Sequence, residues 1–382
     1  MTNHKVNELA WIVGGAQGSG VDSSATVFAR AAAYGGLHVY GNREYYSNIM
    51  GEHSYFQVRV CGRPIRSHVD TLNLLATFDA ETVFRHSRNV VDDGAVVYDP
   101  GLATIKLDDV PTIEARLRTD LQTYLVARGL GFTVQDLLKS AADRGVTLVP
   151  VPYSQLLNQV ADENHVDQLS KISRMVNMFA VAASFGILEY DYEMMARALR
   201  DVFRAKAEVA EMNVRGARKA YDLVHGKYTA YPYRLESLGF EGEKRALMTG
   251  AQAIGLGKVL GGMRVQTYYP ITPASDESEY IEANQIVRTR TPRFGTKSTS
   301  PSAASRRSAS RIGVRLTSNC SESCSWRRTL PGASSPETIA SSITSAMSSA
   351  LVLSRLTWLS LRPGTDPPRS TRGAPASSSR RR

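Results

Sequence analysis

The sequence predicts an α/β protein whose first domain is doubly wound and Rossmann-like. Two observations predict this fold class. A short apolar strand at residues 9–13 leads through the glycine-rich segment 14–20 into a small-residue helix at residues 21–34. Further short apolar segments then alternate with helical ones, and strands separated by helices indicate a parallel or mixed sheet.

The other strands of this domain are predicted from short apolar runs and from one alternating pattern. Residues 54–60 place Phe56, Val58 and Val60 on one face of a strand and more polar neighbours on the other, which is typical of a half-buried strand. The remaining runs predict strands at residues 37–40, 72–77, 95–98 and 146–150, with a helix at about residues 80–88.

Helical periodicity dominates the second half of the domain. Residues 170–188 are apolar on most of their surface, which is typical of a helix in a core or in a subunit interface. Residues 190–206 and 208–224 predict two amphipathic helices. The stretch 226–243 is rich in Tyr, Pro and Gly and indicates an interdomain linker.

The net charge of +10 is unevenly distributed along the 382 residues. Residues 288–382 hold sixteen arginines, one lysine and three acidic residues, a net charge of +14, so residues 1–287 carry a net charge of −4. Bulk charge therefore gives no argument that this body binds nucleic acid. The single cysteine among the first 319 residues, Cys61, speaks against a disulfide framework and favours a reducing cytoplasm. We predict neither a secretory signal nor a membrane-spanning segment.

The character of the sequence changes abruptly after about residue 287. Of the 95 residues from 288 to 382, 23 are serine, and no sustained helical or strand period is present. One interpretation is a native basic tail that binds RNA. The other, which we favour, is a frameshift, because GC-rich DNA read out of frame tends to give Ser, Arg, Pro and Ala. In both cases we expect the segment to be disordered.

The glycine-rich segment is a candidate anion site, with Gly15, Gly18 and Gly20 as candidate cofactor-binding residues. Bare backbone N–H groups and the helix dipole favour an anionic group at such a position. The spacing does not fit the dinucleotide pattern GxGxxG, and no acidic residue ends the second strand. Arg43 near that point suits a 2′-phosphate, so an NADP-binding dehydrogenase is an alternative. A tight strand-to-helix turn without a ligand is equally compatible.

Residues 41–54 are denser in polar and aromatic groups than a connection needs. Asn42 and Arg43 are candidate substrate-binding residues, and with Tyr45 and His53 they are expected to line a cleft at the strand ends, where open sheets bind ligands. A packed subunit-interface loop explains the same residues equally well, because Arg and Tyr are enriched at interfaces.

A second α/β unit is predicted to begin with a helix at residues 248–260 and a strand at 263–268, followed by the loop YPITPASDES at 269–278. Pro270 and Pro273 flank Ile271 and Thr272, and they stiffen the loop and fix the direction of the Thr272 hydroxyl. The alternative is a rigid turn that leads into a helix, with acidic residues that only cap the helix N-terminus and have no catalytic role.

The sequence contains four longer motifs, in this order: GGAQGSG, GNREYYSNIMGEHSYF, FDAETVFRH and YYPITPASDESEYIEA. In order and spacing the chain resembles, from its first strand to about residue 287, the fused subunit of archaeal-type 2-oxoacid:ferredoxin oxidoreductases. The resemblance implies oxidative decarboxylation of a 2-oxoacid with CoA to acyl-CoA, carbon dioxide and reduced ferredoxin. It also implies four segments: a glycine-loop (gamma-type) domain at 1–228, a linker at 229–245, an incomplete thiamine-diphosphate pyrimidine-type domain at 246–287, and the disordered or out-of-frame tail at 288–382.

The same resemblance implies roles for the YPITP loop. Thr272 is expected to be the catalytic hydroxyl that contacts substrate or cofactor. The residues expected to contact the pyrimidine end of thiamine diphosphate are Tyr269, Pro270, Ile271 and Pro273. The partner, a beta subunit, is expected to hold the diphosphate with Mg²⁺ and a [4Fe-4S] cluster, while CoA is a substrate and ferredoxin the electron acceptor.

The sequence departs from the family after the YPITP loop. An acidic segment that activates thiamine, a TSGPG segment and an arginine-bearing GGPSTGLPT segment are expected and are not found. We therefore expect this chain to be inactive as written. The NADP-binding dehydrogenase and a non-catalytic protein with an RNA-binding tail are the two alternative functions.

Overall fold

The computed structural model describes residues 4–45, 53–239, 245–263, 265–269, 271 and 274–284. Most of them form a doubly wound α/β domain with helices on both faces of a six-stranded sheet. The strands are β1 (Lys5–Val6), β2 (Glu8–Ala16), β3 (His38–Tyr45), β4 (His53–Cys61), β5 (Leu72–Ala76), β6 (Val90–Tyr98), β7 (Thr147–Pro150) and β8 (Tyr233–Arg234). The helices are α1 (Val21–Tyr34), α2 (Ala80–His86), α3 (Ala115–Val126), α4 (Val134–Asp143), α5 (Tyr153–Glu163), α6 (Met175–Ile187), α7 (Tyr192–Val202), α8 (Ala207–Val224), α9 (Gly250–Leu260) and α10 (Ala274–Ala283).

The main sheet has the strand order β3-β4-β2-β5-β6-β7. Strand β4 runs antiparallel to both of its neighbours, whereas β2, β5, β6 and β7 are parallel to one another. The predicted mixed, doubly wound sheet is thus confirmed. Because β3 also runs in the direction of β2, the carboxyl ends of β2, β3, β5 and β6 lie at one edge of the sheet.

The first face of the sheet packs against α1 and α6, and α7 and α8 pack on these two helices from outside. Trp11 of β2 stacks on Phe28 of α1 with ring centroids 4.1 Å apart, and Phe28 stacks on Phe185 of α6 at 4.6 Å. The indole N–H of Trp11 donates to the Ser184 hydroxyl at 3.0 Å. As its apolar sequence predicts, α6 is buried at every position except Val176. Nowhere in the described chain is a helix both long and apolar enough to cross a membrane.

The second face carries α2, α3 and α4. Ile12 and Leu75 from the sheet pack with Val83 and Phe84 of α2 in a smaller core. Over the β3–β4 hairpin this face is crossed by the loop 62–71 instead of a helix. The Gln57 side-chain amide donates to the Val69 carbonyl there, which ties the loop to the sheet.

Several predicted boundaries differ from those observed. Helix α1 has the predicted bounds, but β2 continues to Ala16, so Gly14 and Gly15 lie in the strand and the turn is confined to residues 17–20. Strand β3 reaches Tyr45 instead of ending at residue 40. Within the predicted polar segment at 41–54, residues 41–45 and 53–54 are strand, because antiparallel pairing with β4 extends both strands beyond their apolar runs. Residues 46–52 lie outside the described residues.

The predicted linker at 229–245 is packed against the first domain at residues 231–235. Tyr231 and Leu235 are buried, and β8 pairs in parallel with β1 at the start of the chain. The Leu238 N–H donates to the Gly35 carbonyl at 2.8 Å. Aromatic side chains thus fasten this segment to the first domain.

The predicted strand at 263–268 is not found in the described residues of that segment, where only Val265 takes part in a β-bridge. A short apolar run forms a strand only when a neighbouring strand satisfies its backbone groups. The tail predicted at 288–382 lies outside the described residues.

Candidate functional site at the carboxyl ends of the strands

The glycine-rich turn follows β2 at the carboxyl edge of the sheet. Gly15 packs so closely that an added Cβ would lie 2.5 Å from the Phe78 ring. Gly20 has a φ of +108°, and a Cβ there would lie 2.3 Å from the amide nitrogen of Asn177, which donates to the Ser19 carbonyl. Packing and backbone conformation therefore explain both glycines.

Gly18 differs from the other two predicted cofactor-binding glycines. Its φ is +88°, its surface is exposed, and an added Cβ would meet no described atom within 4 Å. Beside it, the Ser19 hydroxyl is buried and has no hydrogen-bond partner among the described residues. The exposed backbone at Gly18 is thus the part of the turn that a ligand could approach.

Asn42 and Arg43, predicted to line one cleft, point to opposite faces of the sheet. Arg43 forms an ion pair with Asp22 in the first turn of α1, beside the glycine-rich turn. Asn42 is buried on the other face, where its amide donates to the Glu44 carboxylate at 3.1 Å. The prediction of a shared cleft is wrong, because successive residues of a strand alternate between faces.

Asn42 lines a cleft of about 700 Å³ on the second face of the sheet. Its walls come from β3 and β4, the loop 62–71, α2 and α3. The lining carries both signs of charge, including Glu44, Arg88 and Asp120, and Arg88 pairs with Asp120 across it. The cleft is therefore polar, and its three carboxylates (Glu44, Asp70 and Asp120) are largely offset by two guanidiniums (Arg85 and Arg88).

His53 and His86 form a buried imidazole pair between this cleft and the end of β2. Their Nε2 atoms lie 3.0 Å apart, so one ring donates and the other accepts. Burial lowers the pKa of His53 to about 3, and the Arg85 guanidinium acts in the same direction. Burial, with the charges of His53 and Arg85, lowers the pKa of His86 to about 3. Both rings are therefore neutral at physiological pH.

Asp79 is a site residue that sequence reasoning missed. It follows β5 and forms the N-cap of α2, where its carboxylate accepts from the Thr82 N–H at 2.7 Å. Burial raises the pKa of Asp79 to about 6, against the lowering effect of hydrogen bonds from Thr82 and Ala16. Its position directly before a helix in the motif FDAETVFRH was the available signal.

The YPITP loop lies between α9 and α10 in the chain. Tyr269 and Ile271 are 77% and 54% exposed, so neither is held in a core. Pro270, Thr272 and Pro273 lie outside the described residues. Helix α10 packs on α9 at Gly255, where an added Cβ would lie 3.1 Å from the Tyr280 ring. These contacts leave the described part of the loop facing solvent.

The described residues do not supply a metal centre. No group of three or more His, Cys, Asp or Glu side chains in them is arranged to hold a metal ion. Cys61, the cysteine that the structure describes, is buried in β4, and burial raises the pKa of its thiol. Neither Mg²⁺ nor an iron–sulfur cluster fits the side chains of the described residues.

Residues 10–223 match the family described as "Pyruvate ferredoxin/flavodoxin oxidoreductase". Over 289 residues the chain is 39% identical to 2-oxoacid:ferredoxin oxidoreductase 1, subunit alpha, of Sulfurisphaera tokodaii, a match that covers 76% of this chain and 44% of that protein. It is 38% identical over 290 residues to the corresponding alpha subunit of Saccharolobus solfataricus, with the same coverage. The chain spans less than half the length of the curated relatives it matches.

A solved structure shares the fold. It is a 2-oxoglutarate:ferredoxin oxidoreductase from Magnetococcus marinus, described with 2-oxoglutarate, coenzyme A and succinyl-CoA bound. The TM-score is 0.55 at 25% identity, and the match covers 73% of this chain and 41% of that one. The likeness therefore includes most of the described residues.

Proposed function

Because the chain belongs to the pyruvate ferredoxin/flavodoxin oxidoreductase family, we propose that it is the glycine-loop part of an alpha-type subunit of a 2-oxoacid:ferredoxin oxidoreductase. The reaction is the oxidative decarboxylation of a 2-oxoacid with CoA to acyl-CoA, carbon dioxide and reduced ferredoxin. The observation that carries the proposal is a match that runs through the first domain and on into the YPITP segment, over 76% of the chain.

The proposed site is formed by the glycine-rich turn together with the YPITP loop. The backbone at Gly18 is exposed and is proposed to approach an anionic group, such as a phosphate of CoA or of thiamine diphosphate. Gly15 and Gly20 shape the turn behind it. Thr272 is proposed to contact the substrate or the thiamine cofactor, with its neighbours in the YPITP loop packing at the pyrimidine end.

The cofactors are proposed to come mainly from a partner beta subunit. That subunit would hold thiamine diphosphate with Mg²⁺ and a [4Fe-4S] cluster. When bound, thiamine would supply the group that stabilises the carbanion formed on loss of carbon dioxide. This chain's residues would orient the substrate and keep water from the reacting atoms. We place the assembled enzyme in the cytoplasm.

We further propose that this chain is inactive by itself and that residues 288–382 are encoded out of frame. The composition of that segment and the missing acidic, TSGPG and GGPSTGLPT segments support this. The test is to sequence the encoding DNA from codon 280 onward and to translate all three frames. We expect another frame to continue with these three segments after about codon 287. A DNA sequence in which no frame encodes them would overturn the frameshift and leave a native tail, whose RNA binding could then be measured at several salt concentrations.

A further inference from the structure

A side-chain hydrogen bond joins the two ends of the YPITP loop. The amide nitrogen of Gln266, ahead of the loop, donates to the hydroxyl of Ser278 in α10 at 2.8 Å. Residues 269–273 lie between these two positions in the sequence. The bond therefore closes the loop at its base.

Lys258 of α9 extends this contact into a small network. Its ammonium group donates to the side-chain oxygen of Gln266 at 3.3 Å and forms an ion pair with Glu277 in the first turn of α10. The Glu277 side chain is only 15% exposed, so water screens the pair less than it screens a surface ion pair. One amide group, that of Gln266, thus links α9 to α10, and we call Lys258, Gln266, Glu277 and Ser278 the loop clamp.

Burial in this part of the chain gives the loop clamp its importance. Gln266 is partly buried, whereas the described residues beside it, at 265 and 267–269, are exposed. Within α9 only Gly255 is buried, and within the described part of α10 only Ser278 and Ile281 are. Apolar packing therefore contributes little to fixing the loop, and the hydrogen bonds at its base contribute correspondingly more.

We propose that Gln266 is a positioning residue of the YPITP loop. Its amide holds the base of the loop between α9 and α10, and it thereby sets the position from which Thr272 reaches the reacting atoms. The importance of that position for catalysis rests on the proposed function, which gives Thr272 its role. The clamp itself does not depend on it.

The test is limited proteolysis of the full chain with chymotrypsin, which cleaves after aromatic residues. Mass spectrometry follows cleavage after Tyr268, which is 41% exposed and lies within the segment that the clamp closes. Cleavage after Tyr221, buried in α8, reports unfolding of the first domain in the same digest. The ratio of the two rates measures opening of the loop base, because cleavage follows the population of the open form when closing is fast.

Gln266→Leu removes both hydrogen bonds of the amide at similar volume. It is expected to raise the ratio about two- to tenfold, the factor that corresponds to one hydrogen bond. Adding Ser278→Ala is expected to bring little further increase, because the bond between the two residues is already lost. Gln266→Glu is expected to stay near the wild type, since a carboxylate accepts from Lys258 and from the Ser278 hydroxyl.

Gln252→Leu is the matched control. The Gln252 side-chain oxygen accepts from the Thr249 N–H at 3.0 Å in the capping box that begins α9, outside the loop clamp. This variant is expected to leave the ratio unchanged.

The proposal is overturned if Gln266→Leu leaves the ratio unchanged or if Gln252→Leu raises it equally. It is also overturned if Gln266→Glu behaves as Gln266→Leu does, or if Ser278→Ala multiplies the effect of Gln266→Leu as an independent change would. Cleavage reports the loop and not turnover, so failure of the proposed enzyme activity would leave this result unaffected.

Discussion

Lowering the pH from 7 to 4 is expected to destabilise the protein through the His53–His86 pair. Both pKa values are about 3 in the folded protein, against about 6.5 for an unfolded histidine. Between these values the unfolded chain binds more protons, so stability that is complete above pH 6.5 is lost as the pH falls. For one histidine that titrates independently, the free energy of unfolding falls by about 3 kcal/mol between pH 6.5 and pH 4. The two hydrogen-bonded rings titrate as a coupled pair.

The measurement is the free energy of unfolding in urea at several pH values, for the wild type and for His53→Asn/His86→Gln. Asp79 acts in the opposite sense, because its raised pKa of about 6 makes the protein more stable as the pH falls through that value. The difference in pH slope between the two proteins therefore isolates the histidines. His165→Asn, at an exposed position of positive φ that asparagine tolerates, is the control. Equal slopes in the wild type and the double variant would contradict the prediction.

Gly20→Ala is expected to destabilise the protein by about 3 kcal/mol or more, and Gly18→Ala by only about 1 kcal/mol. Both positions have positive φ, where a side chain costs about 1–2 kcal/mol. Only at Gly20 does the new methyl group meet a neighbour, the Asn177 amide at 2.3 Å, and such overpacking adds about 1–3 kcal/mol.

Urea unfolding at pH 7 measures both variants. Adding Asn177→Ala to Gly20→Ala is expected to recover part of the loss, since it removes the clash but also the bond to the Ser19 carbonyl. Similar losses for Gly18→Ala and Gly20→Ala would show that the backbone angle alone matters. In that case Asn177 does not constrain the glycine-rich turn.

Much of the fold could be predicted from the sequence where one local signal dominated. Helix α1 has the predicted bounds because a glycine precedes it and a glycine follows its last residue. The alternation at 54–60 identified β4, whose period of two reports which face is buried. The apolar surface of α6 predicted its burial, because such a helix is stable only inside a core.

Three helices were missed although two carried signals. Helix α4 has a capping box between Thr133 and Asp136, and α5 has buried residues at helical spacing from Tyr153 to Ala161. Helix α3 buries only Leu121 and Leu125, so its pattern is weak in the sequence. The length of β3 could not be predicted from the sequence either, because pairing with β4 determines where the strand ends.

The candidate site was predicted in part. The sequence indicated the glycine-rich turn, Arg43 and the YPITP loop as functional, but it could not show which partners they have. The ion pair of Arg43 with Asp22 and the pairing of His53 with His86 join residues that are far apart in the chain. Such contacts depend on the order of strands in the sheet, which local patterns do not contain.

The most direct test of the central claim is a chimera. Residues 1–287 of this chain replace the matching segment of the Sulfurisphaera tokodaii alpha subunit. The chimera is produced together with the rest of that oxidoreductase, and reduction of ferredoxin is measured. The account predicts turnover that requires both a 2-oxoacid and CoA. A chimera that assembles as the parent enzyme does, yet reduces no ferredoxin under conditions where the parent is active, would contradict it.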